Sequence, residues 1–306
     1  MQTTIKSPIS FRGIGLHTGN RVTLTIHPAS AEYGIWFRRT DIELGDNLIA
    51  ARWDSVVPSK LCTKIVNNAG VSVSTIEHIM AALMGCGIQN ALVEINGPEV
   101  PILDGSAAQF VRGILSRGLR RLDAPVRVIE ILKTVEVSED GAVARLTPHD
   151  GFEIDFRIQF ADSAIGTQNM RLNMANGTFV RELCASRTFC RQSDVDIMRA
   201  NGLALGGTLN NAIVVDGDQI LSPGGFRYKN EAVRHKMLDA LGDLGLAGAP
   251  IVGRYTGDRA GHALTNKLLR ALFADVSAFR MLDCTPKLAR NLPGVGVHSA
   301  DIPAVA

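Results

Sequence analysis

His78-Ile79-Met80-Ala81-Ala82-Leu83-Met84-Gly85 and His235-Lys236-Met237-Leu238-Asp239-Ala240-Leu241-Gly242 share one pattern: a histidine, a methionine two residues on, and a glycine five residues after that. The two stretches lie about half the chain apart, which fits 306 residues arranged as two units of roughly 150 residues. Each stretch sits in a helical run. Ile76, Ile79, Met80 and Leu83 recur at helical spacing over 74–85, and Val233, Met237, Ala240, Leu241 and Leu244 form an apolar stripe over 231–244. Strand text precedes each helix. Val22, Leu24 and Ile26 alternate with threonines, and Phe152, Ile154, Phe156, Ile158 and Phe160 alternate with polar residues. Further strands are expected over 91–95, and hairpins at Glu139-Asp140-Gly141 and at Asp216-Gly217. Second helices are expected over 107–116 and 263–273. Strands followed by helices in each half predict an α+β fold more than a parallel doubly wound sheet, and the repeated pattern suggests a duplicated domain whose equivalent histidines a metal at the domain interface could use. Asp123-Ala124-Pro125 reads as the joint, giving domains 1–124 and 125–306.

Composition sets the class. Hydrophobic residues make up 46% and charged residues 20%, the profile of a folded chain. A net charge of +2 carries no sequence-wide field that would select nucleic acid, and none is expected as a partner. The five cysteines are odd in number and form no C-x-x-C pair, which suits free thiols in a reducing compartment. Residues 1–16 lack the basic and apolar regions of a signal peptide, and no apolar run approaches the ~20 residues that span a bilayer. A cytoplasmic monomer is expected, with transient contact at a membrane surface still open to it.

His235 and Asp239 are four apart and share a helix face, where an imidazole and a carboxylate can chelate a metal. With His78 they make a two-histidine, one-carboxylate set that leaves a coordination place for water. Glu77, beside a ligand, suits a general base. His262 follows Gly261 at a helix start and suits a cationic acid, held protonated by Asp243. Thr188, in Ser186-Arg187-Thr188-Phe189, can donate to an oxyanion. The same residues have plainer uses. Ser74-x-x-Glu77 is a capping box, the 235/239/243 row suits a solvated helix face, and His262 suits a helix cap. His17, His27, His149 and His298 read as structural.

Several segments in order resemble the UDP-3-O-acyl-N-acetylglucosamine deacetylase family of lipid A biosynthesis: Gly13-Ile14-Gly15-Leu16-His17-Thr18-Gly19, Leu61-Cys62-Thr63, Thr75-Ile76-Glu77-His78, Gly97-Pro98-Glu99-Val100-Pro101-Ile102-Leu103-Asp104-Gly105-Ser106, Arg187-Thr188-Phe189, Asn211-Ala212-Ile213-Val214-Val215-Asp216, Arg234-His235-Lys236-Met237-Leu238-Asp239 and Gly261-His262. The resemblance implies two similar two-layer α+β domains, each a sheet packed on helices, with the active site at their interface, and it implies zinc, with iron(II) as the alternative, on His78, His235 and Asp239. It implies hydrolysis of the 2-acetamido group of an acylated UDP-N-acetylglucosamine, releasing acetate, as the committed step of lipid A biosynthesis. Glu77 would be the base, His262 the acid oriented by Asp243, Thr188 the oxyanion donor, and Lys236 a partner of phosphate or leaving amine. Phe189 and Asp194 would line the sugar pocket, Phe160 would stack on uracil, and Cys62 would lie beside the metal. An insert over 195–214, with Ile197, Met198, Leu203, Leu205, Ala212 and Val214, would form a passage for the acyl chain. The chain departs from the family at Cys190, where glycine is usual, and at Asp162-Ser163, which replace His-Pro. It departs also at Asn230-Glu231, in place of an acidic pair, and at Thr265-Asn266, in place of Asn-Asn. Two rival readings use the same residues: an amidase of this chemistry on another acylated sugar, and a catalytically silent nucleotide-sugar binding protein.

Overall fold

The pattern quoted above is part of a larger repeat. In the structure, a computed structural model describing residues 1–304, the first half builds a five-stranded sheet in the order Ile9–Ile14, Arg21–Pro28, Ala91–Ile95, Ile35–Arg39, Leu48–Ala50. Strands Ile35–Arg39 and Ala91–Ile95 run parallel, and all other pairs in that sheet are antiparallel. The second half repeats the order with Val135–Glu139, Ala142–Thr147, Ile251–Asp258, Phe152–Gln159 and Thr167–Asn173, with Phe152–Gln159 again parallel to Ile251–Asp258, and extends it to seven strands with Arg127–Ile131, also parallel to Ile251–Asp258, and Phe279–Asp283. Helix α1 (Glu77–Gly85) leads into the central strand of the first sheet, and its counterpart near residue 240 leads into the central strand of the second. An antiparallel pair brackets each unit: Thr3–Ile5 with Leu119–Arg121, and Arg127–Ile131 with Phe279–Asp283. Among the described residues no strand pairing crosses from one side of residue 124 to the other.

Alternation in the sequence becomes one-sided burial. Val22, Leu24 and Ile26 are buried, as are Phe152, Ile154, Phe156 and Ile158, while the residues between them are partly exposed. Helix α2 (Ala108–Arg117) packs on strand Ile9–Ile14. The helices that follow α3 (Gln192–Ala200) behave likewise: α4 (Glu231–Leu244) covers Phe152–Gln159 and Thr167–Asn173, and α5 (His262–Ala274) covers Val135–Glu139 and Ala142–Thr147. The expected Asp140-Gly141 hairpin forms with both residues at positive φ, 49° and 77°, as a two-residue type I′ connection requires.

The two halves meet helix to helix. α1 and α4 pack along each other, and one continuous apolar core includes residues of both. Both helices are buried nearly all round, which corrects the solvated face that the row His235, Asp239, Asp243 permits: those residues are 2%, 5% and 3% exposed. The capping box at Ser74 does not form. Ser74 ends strand Ser72–Ser74 and its hydroxyl donates to the Pro98 carbonyl, Thr75 turns the chain at φ 57°, and α1 starts only at Glu77. Glu77 is thereby free of a capping role.

Glycine permits the close crossing. A Cβ at Gly242 would collide with the carbonyl oxygen of Glu77 and lie 3.1 Å from the Ala81 nitrogen. Gly85, its partner in the repeat, faces the Phe179 ring in the same way. No helix among the described residues is long and apolar enough to cross a membrane, and all five cysteines are free. Gly242→Ala should push the helices apart against backbone, not against a flexible side chain. Overpacking of this kind costs about 1–3 kcal/mol, read as a lower denaturation midpoint at unchanged slope. An unchanged midpoint would show that the crossing has slack.

Candidate active site

The crossing of α1 and α4 brings the first-half histidine to the second-half pair. The His78 and His235 rings meet edge to face with centroids 5.0 Å apart. Asp239 Oδ1 lies 3.6 Å from His78 Nε2 and 3.4 Å from His235 Nε2, and it has no hydrogen-bond partner although buried. One ligand atom from each of the three lies within 4.8 Å of the other two. Among the described residues this is the one such group of histidine, cysteine or acidic side chains. Two imidazole nitrogens and a carboxylate oxygen are the donor set of a divalent metal such as zinc, and an orphaned buried oxygen between them fits an ion there.

Ring orientation is set from behind. His235 Nδ1 bonds to the Ser186 carbonyl at 3.0 Å, which turns Nε2 towards Asp239. Burial pulls the His235 pKa down to about 4 against the pull of Asp239, so the ring is neutral, as a ligand must be. Burial also works against the charge of Asp239, but His235 and Lys236 outweigh it and hold the carboxyl well below the usual carboxylate range. Lys236 Nζ donates to Asp239 Oδ2 at 2.9 Å. Burial lowers its pKa, but Asp239 outweighs that and leaves it above the usual lysine value.

Two further groups face this cluster. Glu77, 4% exposed, accepts from the Thr63 backbone N–H through Oε2 at 3.1 Å, and its Oε1 lies 3.9 Å from His262 Nε2. Burial raises its pKa above the ordinary glutamate value, against the pull of His262 and His78. His262 is the first residue of α5 and caps nothing. Its Nδ1 bonds Asp243 Oδ2 at 2.7 Å. Burial alone would lower its pKa, but Asp243 and Glu77 raise it to about 9. Thr63 links the two arms, since its hydroxyl also donates to Asp243 Oδ1 at 2.5 Å.

These groups open on a cavity of about 1120 Å³ whose wall includes Glu77, His78, Thr188, Lys236, Asp239 and His262. Phe160, Phe189 and Asp194 line it as well, with the two rings edge to face at 5.3 Å. Cys62 sits behind the wall, bonded to Ser59 and close enough to Glu77 to feel its charge. Burial is the main cause that pushes its thiol up. Much of the insert lines the cavity, including Ile197, Met198, Leu203, Ala212 and Val214, but Leu205 does not. Leu205 packs against Gly19 and its N–H donates to the His17 carbonyl at 3.2 Å. Of the departures noted in the sequence, Cys190 lines the cavity with its thiol raised by burial to about 11, and Asp162 pairs with Arg191 at 2.6 Å.

The sequence reading missed His17. It lines the cavity, is 8% exposed, and neither ring nitrogen finds a partner among the described residues. The available signal was its place in the glycine-rich segment Gly13–Gly19; in the structure Gly15 is crowded by Glu99 and Gly19 by Leu205, so the loop is moulded to other segments. Thr63 and Glu99 were missed too. Glu99 is buried and accepts from His17 N, Thr18 N, Thr18 Oγ1 and Thr75 Oγ1.

A family model described as LpxC, UDP-3-O-acyl N-acetylglycosamine deacetylase, matches residues 2–274. The UDP-3-O-acyl-N-acetylglucosamine deacetylase of Phenylobacterium zucineum is 49% identical over 288 residues, covering 94% of this chain and 98% of that protein. Proteins of the same name from Neisseria meningitidis and Shewanella frigidimarina are 44% and 43% identical over 283 residues, covering 91% and 92% of this chain and 92% of each relative. In metal-free protein the His262 ring, followed by NMR, should titrate near 9. Asp243→Asn should bring that value down, because burial would then meet only Glu77. A value unmoved by the substitution would remove Asp243 as the cause.

Proposed function

This chain belongs to the UDP-3-O-acyl-N-acetylglucosamine deacetylase family, and we propose on that premise that it hydrolyses the 2-acetamido group of an acylated UDP-N-acetylglucosamine. Water and the amide become acetate and the free amine, a step of lipid A biosynthesis. The observation that carries the reading is the approach of buried Glu77 to half-buried His262, 3.9 Å apart, beside the three-residue metal set. His78, His235 and Asp239 would hold the ion, zinc in our reading, with iron(II) suited to the same donors. When bound, a divalent ion supplies Lewis-acid polarisation of the amide carbonyl and of the attacking water.

The chain's own residues handle the protons. Glu77 Oε2 is held by Thr63 N, which leaves Oε1 to take a proton from the attacking water. Its raised pKa makes it a stronger base than an ordinary carboxylate. His262 carries its proton below about pH 9 and gives it from Nε2 to the departing nitrogen, while Asp243 holds Nδ1. Thr188 donates its hydroxyl to the oxygen that gains charge. Lys236, fixed by Asp239, adds positive charge at the same wall. Phe160, Phe189 and Asp194 bound the space for sugar and uracil, and the apolar insert accommodates the acyl chain. The division at residue 124 belongs to this reading, supported by strand pairings that stay on one side of it. A monomer in the cytoplasm that meets its acylated substrate at a membrane surface completes it.

Deacetylation of UDP-3-O-acyl-N-acetylglucosamine, lost with a chelator and restored by zinc, is the direct test. A metal-loaded protein that leaves this substrate intact would refute the activity. Glu77→Ala should keep its metal and lose turnover by about 10²–10⁴-fold, the usual contribution of a general base. Near-normal turnover in that variant would remove Glu77 from the role. For His78→Ala, metal analysis should show occupancy falling together with activity. Full occupancy would take His78 out of the ligand set.

A further inference from the structure

Ser186-Arg187-Thr188 runs between the metal cluster and the cavity wall, and its two ends serve different neighbours. The Ser186 carbonyl bonds His235 Nδ1 at 3.0 Å. Thr188 lines the cavity, with its N–H donating to the Gly105 carbonyl and its carbonyl accepting from Ile213, each at 2.8 Å. Arg187, between them, reaches Glu231. Its backbone N–H and Nε donate to Glu231 Oε1 at 2.9 and 3.0 Å, and Nη2 donates to Oε2 at 3.2 Å. Oε2 also accepts from the Arg227 backbone N–H at 2.5 Å. The Arg227 guanidinium continues to Asp104 Oδ2 at 3.0 Å and to the Ala185 carbonyl at 2.9 Å. Glu231 is 1% exposed and Arg187 8%.

The place of this carboxylate matters more than its charge. Glu231 opens α4 four residues before His235, so both lie on one helix face. A buried ion pair is weak evidence for stability, since desolvation offsets much of its attraction. Its geometry is what it supplies: a bidentate fork and a backbone N–H fix Arg187, and with it the peptide units on both sides. The chain of contacts also runs through Arg227 to Asp104, in the turn whose Gly105 carbonyl holds Thr188.

We propose that Glu231 is a positioning residue that sets, through Arg187, both the orientation of His235 and the placement of Thr188. The proposal rests on the deacetylase reading for Thr188 and on the metal set for His235. All four groups that Glu231 accepts from are donors, so Glu231→Gln would turn an amide NH₂ against them while keeping the shape. Arg187→Lys keeps the positive charge and loses the fork.

The test compares wild type, Glu231→Gln and Arg187→Lys for zinc affinity by chelator competition and for kcat and KM on UDP-3-O-acyl-N-acetylglucosamine at saturating zinc. The zinc dissociation constant should rise about 10-fold and kcat should fall about 10–100-fold, the range for residues that orient a ligand from behind. KM should stay within about threefold, since ground-state binding is untouched. In a Thr188→Ala background, Glu231→Gln should lower kcat by clearly less than it does in wild type. A carboxylate that only held the fold together would lower the melting temperature and leave these values unchanged below it. Unchanged zinc affinity, or unchanged kcat, in a folded variant overturns the proposal. If Glu231→Gln does not fold, Arg187→Lys carries the same readings. Wild-type protein that binds zinc and does not deacetylate would refute the function, and the zinc comparison would still decide whether Glu231 orients His235.

Discussion

Two helices cross closely because one of them has no side chain at the crossing. Gly242 of α4 lies against the Glu77 carbonyl of α1, and no other residue fits there. Everything chemical in the molecule depends on that approach. It brings His78 edge-on to His235, sets Asp239 between them, and puts Glu77 within reach of a histidine on the next helix, α5. Segments separated by about half the chain become one site without any strand joining the halves among the described residues.

Burial then divides labour among groups that would behave alike in water. Four of them sit together, and burial decides the state of two while charged neighbours decide the other two. His235 has burial working on it most strongly and is neutral, whereas His262 has Asp243 and Glu77 and keeps its proton. Asp239, facing His235 and Lys236, stays ionised, whereas burial lifts Glu77 towards proton exchange. Two histidines and two carboxylates thus hold different protonation states within one site. The division comes from contacts a few ångströms long, not from residue type.

Much of this was legible in the chain. Period-two alternation located the sheets, the repeated histidine and glycine marked the helices that cross, and the spacing of His235 and Asp239 put both on one face. Two readings failed for a shared reason. The capping box at Ser74 and the solvated row on α4 are sound local inferences, and tertiary packing overrode both: Ser74 is committed to a strand, and α4 is surrounded on every side. What local pattern does not carry is contact between distant loops. His17, Thr63, Glu99 and Leu205 stand in segments the sequence singles out, but their individual parts follow from segments far away in number. Gly15 and Gly19 are the residues that make room for those contacts.

Thr63 ties two parts of the site to one short strand. Its backbone N–H donates to Glu77, and its hydroxyl donates to Asp243, the partner of His262. It stands just before strand Lys64–Val66, part of a small three-stranded ribbon separate from the main sheet. A displacement of that ribbon would therefore act on Glu77 and, through Asp243, on His262 together.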